Sequence, residues 1–123
     1  MTLSVHGFAN TASAYKIVQK TGADTTLVEN STGTSGKIYC ITLTNTDQSN
    51  GAYVKFFLRA TTDTPTVGTT EPDLHLRVHQ GDTRRYDFPS GLDFTRLSFY
   101  ASRNSQTSDT TAPGTTKVVI LCT

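Results

Sequence analysis

The stretch Thr66–Tyr100, TVGTTEPDLHLRVHQGDTRRYDFPSGLDFTRLSFY, decides the fold class. Within it Leu74, Leu76 and Val78 alternate with His75, Arg77 and His79, the strict period of two of a half-buried strand. Gln80-Gly81-Asp82 then predicts a tight turn, and Thr83–Phe88 a returning strand paired across a hairpin. Pro89-Ser90-Gly91 predicts a second turn before a strand over Phe94–Ala101, with Leu97, Phe99 and Ala101 facing inward.

The same grammar extends in both directions. Lys37–Asn45 sets Tyr39, Ile41 and Leu43 against Ile38, Cys40, Thr42 and Thr44, the pattern of a largely buried strand. Thr46–Gly51 ends in Asn-Gly, a hairpin signal inside a loop longer than two residues. Ala52, Val54, Phe56, Leu58 and Ala60 then form a core face, with Tyr53, Lys55, Phe57 and Arg59 opposite. Thr61–Pro72, rich in Thr, Pro and Gly, reads as a loop crossing between two sheets, and Arg103–Thr115 as a long exposed loop. Lys117–Cys122 carries Val118-Val119-Ile120-Leu121, an unbroken apolar run expected of a central strand. Upstream, Ala14–Lys20 and Thr25–Asn30 are first strands around a turn at residues 21–24. Residues 1–13 show neither period and read as an extended N-terminal arm that orders against a partner. Residues 14–123 form the domain: all-β, a single antiparallel β-sandwich of about eight strands, of jelly-roll or Greek-key type.

Composition narrows the function classes. A formal net charge of +1 provides no global field to draw the chain onto nucleic acid or an anionic membrane, so neither is an expected partner. No apolar run approaches the roughly 20 residues that span a bilayer, and the N-terminus lacks the basic and apolar blocks of a signal peptide. The reading is a protein made or assembled in a cytoplasm. Cys40 and Cys122 lie inside strand-like runs at a separation unlike any zinc spacing. Buried free thiols are the simpler reading, and a disulfide needs the two strands to be neighbours.

No constellation suggests catalysis or a cofactor. On a strand His75 and His79 share a face but stand about 13 Å apart, too far to share a metal ion. Asp63, Glu71, Asp73 and Asp82 show no calcium-loop spacing, no serine sits in a nucleophile elbow, and the glycines fall in turns. Asn30-Ser31-Thr32 matches a glycosylation pattern and reads as a turn. We therefore expect no enzyme, no catalytic residues, no cofactor and no metal. What remains is a basic patch, His75, Arg77 and His79 on one face with Arg84 and Arg85 across the hairpin. It is either a solvated face with cross-strand ion pairs or a protein contact in which guanidinium forks grip carboxylates. Tyr39, Tyr53 and Tyr100 raise a further alternative, a carbohydrate-binding groove.

The segment Val67–Leu74, VGTTEPDL, followed by the Gly81 turn and by Phe88–Phe94, FPSGLDF, resembles small virion structural proteins of tailed bacteriophages with a VGTTxPD … FPxGLxF pattern. The resemblance covers Lys37–Thr123. It implies a capsid decoration, or cement, protein: a β-sandwich on the capsid exterior that bridges major capsid protein subunits, as a dimer or trimer. The alternative within the same resemblance is a tail, head–tail adaptor or fibre component. This chain departs from the pattern in carrying His75, Arg77, His79, Arg84 and Arg85 where such proteins tend to have apolar or small residues. Those five, with His6 and Phe8 of the arm, are the candidate contact residues.

Overall fold

The computed structural model describes residues 2–7, 15–29, 31–59 and 64–123. The alternating segments become eight strands: β1 (Thr2–Gly7), β2 (Lys16–Thr21), β3 (Gly36–Asn45), β4 (Ala52–Phe57), β5 (Leu74–Val78), β6 (Thr83–Phe94), β7 (Ser98–Ser102) and β8 (Thr116–Cys122). They form a five-stranded sheet in the order β1-β2-β8-β3-β6 and a three-stranded sheet in the order β5-β4-β7, antiparallel throughout. A single bridge from Val28 to Phe99 adds a one-residue strand beyond β7. Counted this way, four strands (β2, β8, β3, β6) face four (the Val28 segment, β7, β4, β5) in jelly-roll order, and β1 is an added edge. The all-β single-domain sandwich read from the sequence is what the chain forms.

The inner faces explain why. In β8 Thr116, Val118, Ile120 and Cys122 are buried while Lys117, Val119 and Leu121 are only partly so. Ile38, Ile41 and Leu43 of β3 meet Val54 and Phe56 of β4, Leu76 and Val78 of β5 and Phe99 of β7 in one cluster, and the Phe56 and Phe99 rings lie 5.8 Å apart. Each such side chain contributes roughly 1.5–3 kcal/mol on leaving water. Cys122 points into this core; Cys40, paired with the outward Leu121, points the other way, and both are buried free thiols.

The connections differ from expectation. The segment expected to cross, 61–72, starts and ends in one sheet, since β4 and β5 are paired neighbours (Val54 opposite Leu76); its residues 61–63 lie outside the described residues. The crossings are made by 46–51 from β3 to β4, 79–82 from β5 to β6, 95–97 from β6 to β7, and the long loop 103–115 from β7 to β8. Both sheets bury an apolar face of the same period, so alternation alone carries no information about sheet membership. Of the strand expected over Thr25–Asn30, the structure shows the bridge at Val28, and Asn30 lies outside the described residues. Residues 2–7 of the expected arm are extended and pair with β2 over six register positions.

Pro89-Ser90-Gly91 is not a turn between strands but lies within β6. Between Ile38 and Cys40 the β6 partner jumps from Leu92 to Asp87, so several residues bulge out opposite Tyr39. Gly91 takes φ +80°, and a Cβ there would sit 2.8 Å from Lys37 Cδ and 3.2 Å from Tyr39 Cε1. A proline without an N–H and a left-handed glycine suit a bulge on an edge strand as well as a reverse turn.

Asp73 locks the end of β4 to the start of β5. Its amide donates to Phe56 O at 2.9 Å, and its Oδ2 accepts from the Leu58 amide at 2.7 Å and the Arg59 amide at 3.3 Å.

Candidate functional site

The outward face of the smaller sheet carries Tyr53, Lys55 and Phe57 of β4, His75 and Arg77 of β5, and Ser98, Tyr100 and Ser102 of β7, placed side by side by the register. Half of it is sealed. Lys55 is fully buried: its Nζ donates to Gln106 O at 2.6 Å and lies 5.4 Å from the centre of the Tyr100 ring, which stacks on Phe57 at 5.9 Å. The segment 103–115 is held over this half by its own bonds. The Asn104 amide donates to Asp109 Oδ2 at 2.7 Å, the Arg103 amide to Thr111 O at 2.9 Å, and Thr107 Oγ1 to Glu71 Oε2 at 2.7 Å. Burial pushes the Lys55 pKa below 10.5, against the pull of Asp109 and Glu71, whose charges favour the ammonium. Burial likewise pushes the Tyr100 hydroxyl above 10.0; it has no hydrogen-bond partner among the described residues, the Gly68 backbone facing it without closing a bond.

The other half is open and is where the predicted patch lies. The Tyr53 ring has the His75 ring edge-on at 6.0 Å and the Arg77 guanidinium 5.8 Å from its centre. On the neighbouring flank Tyr86 of β6 donates its hydroxyl to Arg77 O at 2.6 Å, and the Arg84 guanidinium lies 5.5 Å from the Tyr86 ring. Each guanidinium thus lies over an aromatic ring, and neither arginine makes an ion pair among the described residues.

The structure therefore redraws the patch. Arg84 and Arg85 do not lie across a hairpin from β5, because β5 and β6 are edge strands of opposite sheets. Arg84 shares the core-facing side of β6 with Tyr86, since both pair with inward residues, Leu43 and Ile41. Arg85 pairs with the outward Thr42, on the outer face of the larger sheet, and is bonded to Asp87 at 2.9 Å. His79 is exposed in the turn beyond β5, its carbonyl accepting from the Asp82 amide at 3.3 Å. His75, Arg77, His79 and Arg84 thus gather along one flank of the sandwich, and Arg85 does not join them. His6 pairs with Ile17 in β1, four strands from β6 and so about 19 Å away across the sheet, and Phe8 lies outside the described residues.

Tyr39, Tyr53 and Tyr100 do not line one groove. Tyr39 belongs to the larger sheet with its ring 5.7 Å from Tyr15, Tyr53 is on the smaller sheet, and Tyr100 is only 1% exposed. A cleft of about 600 Å³ opens at one end of the sandwich, between Gly36, Lys37, Leu58, Arg59, Asp93 and Phe94. Its two cations are already paired, Lys37 with Asp93 at 2.7 Å and Arg59 with Asp73 at 2.5 Å. No cluster of three or more metal-ligating side chains occurs among the described residues. Sequence reasoning missed the burial of Lys55; only the polar loop 103–115 hinted at a cover, and nothing in its composition says where it folds.

No protein-family model matches the chain, and no curated protein matches it. Among solved structures the chain is similar, at 10% identity and a TM-score of 0.29, to a chain of the crystal structure of Drosophila melanogaster CENP-C bound to CAL1, over 97% of this chain and 76% of that one. A superposition that poor carries no argument about fold or function.

Proposed function

We propose that this chain is a non-enzymatic virion structural protein that decorates a phage capsid and stabilises it by bridging major capsid protein subunits. The observation that carries the reading is the open flank where the Arg77 and Arg84 guanidinium groups lie over Tyr53 and Tyr86 without carboxylate partners among the described residues. Such guanidinium forks, with His75 and His79 beside them, suit carboxylates on an apposed protein surface. The resemblance of VGTTEPDL and FPSGLDF to phage virion proteins supports the same assignment. Its residues act structurally here: Asp73 ties β4 to β5, and Gly91 shapes the β6 bulge. A subunit that binds only the assembled shell stabilises it by mass action, many copies acting together.

Quantitative mass spectrometry of purified virions tests the reading. A copy number comparable to that of the major capsid protein supports decoration, whereas a few copies per particle favour an adaptor or fibre. With undecorated shells of the same phage, Arg77→Ala with Arg84→Ala should weaken attachment at least tenfold without altering thermal unfolding of the free chain. Because exposed charges are screened, salt near ~0.5 M should release the wild type. Shells equally heat-resistant with and without the chain would remove the stabilising role.

A further inference from the structure

A sheet edge must be paired, covered or guarded, because its free N–H and C=O groups otherwise template another strand. The β7 edge is paired: Val28 N donates to Phe99 O at 2.8 Å and Val28 O accepts the return bond from Phe99 N at 3.0 Å, Ala101 N donates to Asp24 O at 2.8 Å, and Ser31 N to Leu97 O at 2.7 Å. The β5 edge is five residues long, bears His75 and Arg77, and gives its Arg77 carbonyl to Tyr86. The β6 edge carries Arg84, Arg85, Asp87 and Asp93 and is kinked by the bulge at Pro89–Gly91. The β1 edge has none of these devices. Thr2–Gly7 contains no Lys, Arg, Asp, Glu or Pro, its register with β2 is uninterrupted, and among the described residues nothing pairs with its other side.

The same strand exposes apolar surface on the wrong face. Leu3 and Val5 pair with Lys20 and Val18, and Val18 is fully buried, so Leu3 and Val5 project to the core-facing side of the sheet. They are nevertheless 41% and 43% exposed, because the smaller sheet and the Val28 segment do not reach past β2 to cover them.

We propose that β1 pairs antiparallel with β1 of a second copy about a two-fold axis at Ser4, joining two five-stranded sheets edge to edge. The occupant follows from the strand's own complementarity. With the axis at Ser4, Leu3 faces the second copy's Val5 and Val5 its Leu3, so the uncovered aliphatics cover each other on the core side. Thr2 faces the second copy's His6, and no lysine, arginine or carboxylate meets its like. Moving the axis to Val5 leaves Leu3 facing Gly7 instead, with no side chain to cover it. Self-pairing of β6 would bring Arg84 and Arg85 against the same charges. The interface is isologous and closes as a dimer. It does not rest on the capsid reading, and a chain in free solution tests it.

A six-residue seam falls below the roughly 1,200 Å² of tight complexes, so sedimentation equilibrium of the full chain should span about 10–500 µM. The wild type should shift from monomer to dimer within that range. Leu3→Glu with Val5→Glu should stay monomeric, because each glutamate faces another across the axis, while Glu at position 3 still faces Lys20 within the chain. Cross-linking reads the register. Opposed Cα atoms lie about 4.5–5.5 Å apart, within disulfide reach, so Ser4→Cys should link rapidly to itself on mild oxidation. Thr2→Cys, about 13 Å from its own copy, should not. The native thiols are buried and stay out of the reaction. A wild type monomeric throughout, a dimer indifferent to the two glutamates, or Thr2→Cys linking faster than Ser4→Cys each overturns the proposal.

Discussion

Replacing Asp73 tests the joint between β4 and β5 most directly. Its Oδ2 accepts from the Leu58 amide at 2.7 Å, and its Oδ1 takes the Arg59 guanidinium at 2.5 Å. Leu58 is 8% exposed and the Asp73 side chain 15%, so Asp73→Ala leaves a nearly buried N–H without its acceptor. A hydrogen bond to a charged group contributes about 1.5–3 kcal/mol. The Arg59 side chain is 82% exposed, so its ion pair adds at most about 1 kcal/mol. The expected cost is about 2–4 kcal/mol, a fall in Tm of roughly 6–16 °C for a domain of this size. Asp73→Asn keeps an acceptor oxygen and should lose about half as much. The pH dependence is the sharper readout. Burial alone raises the Asp73 pKa, but the Leu58 amide and Arg59 together outweigh it and hold the carboxyl below 3.8. A carboxyl depressed by folding stabilises fully above its unfolded pKa and loses that contribution as the pH falls through its folded value. Thermal unfolding followed by circular dichroism from pH 7 to pH 2 should therefore show the gap between wild type and Asp73→Asn widest near neutrality and closing below about pH 3.8. A cost for Asp73→Ala under about 0.5 kcal/mol, or a gap for Asp73→Asn independent of pH, would refute the clamp.

Two further outcomes follow from the buried groups. Lys55→Met removes a desolvated charge, so stability should hold or rise by up to about 2 kcal/mol, while loss of the bond to Gln106 O should speed tryptic cleavage after Arg103 several-fold. Folding depresses the Lys55 pKa, so between that value and 10.5 the unfolded chain binds more protons; melts at pH 8 and pH 10 should show wild type gaining on Lys55→Met as pH rises. Cys40 and Cys122 should react with a thiol reagent at pH 8 at least ~100-fold more slowly in the folded chain than in urea, and Cys122, whose pKa burial raises, should be the slower; fast labelling of either thiol contradicts its placement.

Legibility followed the reach of each signal. The inward residues Val54, Phe56, Leu76, Val78, Leu97, Phe99 and Ala101 were readable from their period and are all buried. The punctuation was ambiguous: Pro89-Ser90-Gly91 serves a bulge where the same residues elsewhere make a turn, and loop length does not tell a crossing from a return, since β4 and β5 are neighbours in one sheet while both 46–51 and the longer 103–115 cross. Of the candidate contact residues, the sequence read His75, Arg77 and His79 as one strand face, whereas β5 carries the first two and His79 lies in the turn beyond it; nor could it see that Arg84 reaches the same flank through Tyr86 while Arg85 points to the opposite sheet's outer face.

Strand existence, the core-facing residues and the all-β class follow from the sequence by itself, because they depend on contacts repeated every second residue along each strand. The sheet to which a strand belongs, the burial of Lys55 beneath a polar loop, and the exposure of Leu3 and Val5 were decided by the tertiary structure. These depend on where the smaller sheet ends and which loop lies over it, through contacts between residues far apart in the chain that local periodicity does not encode.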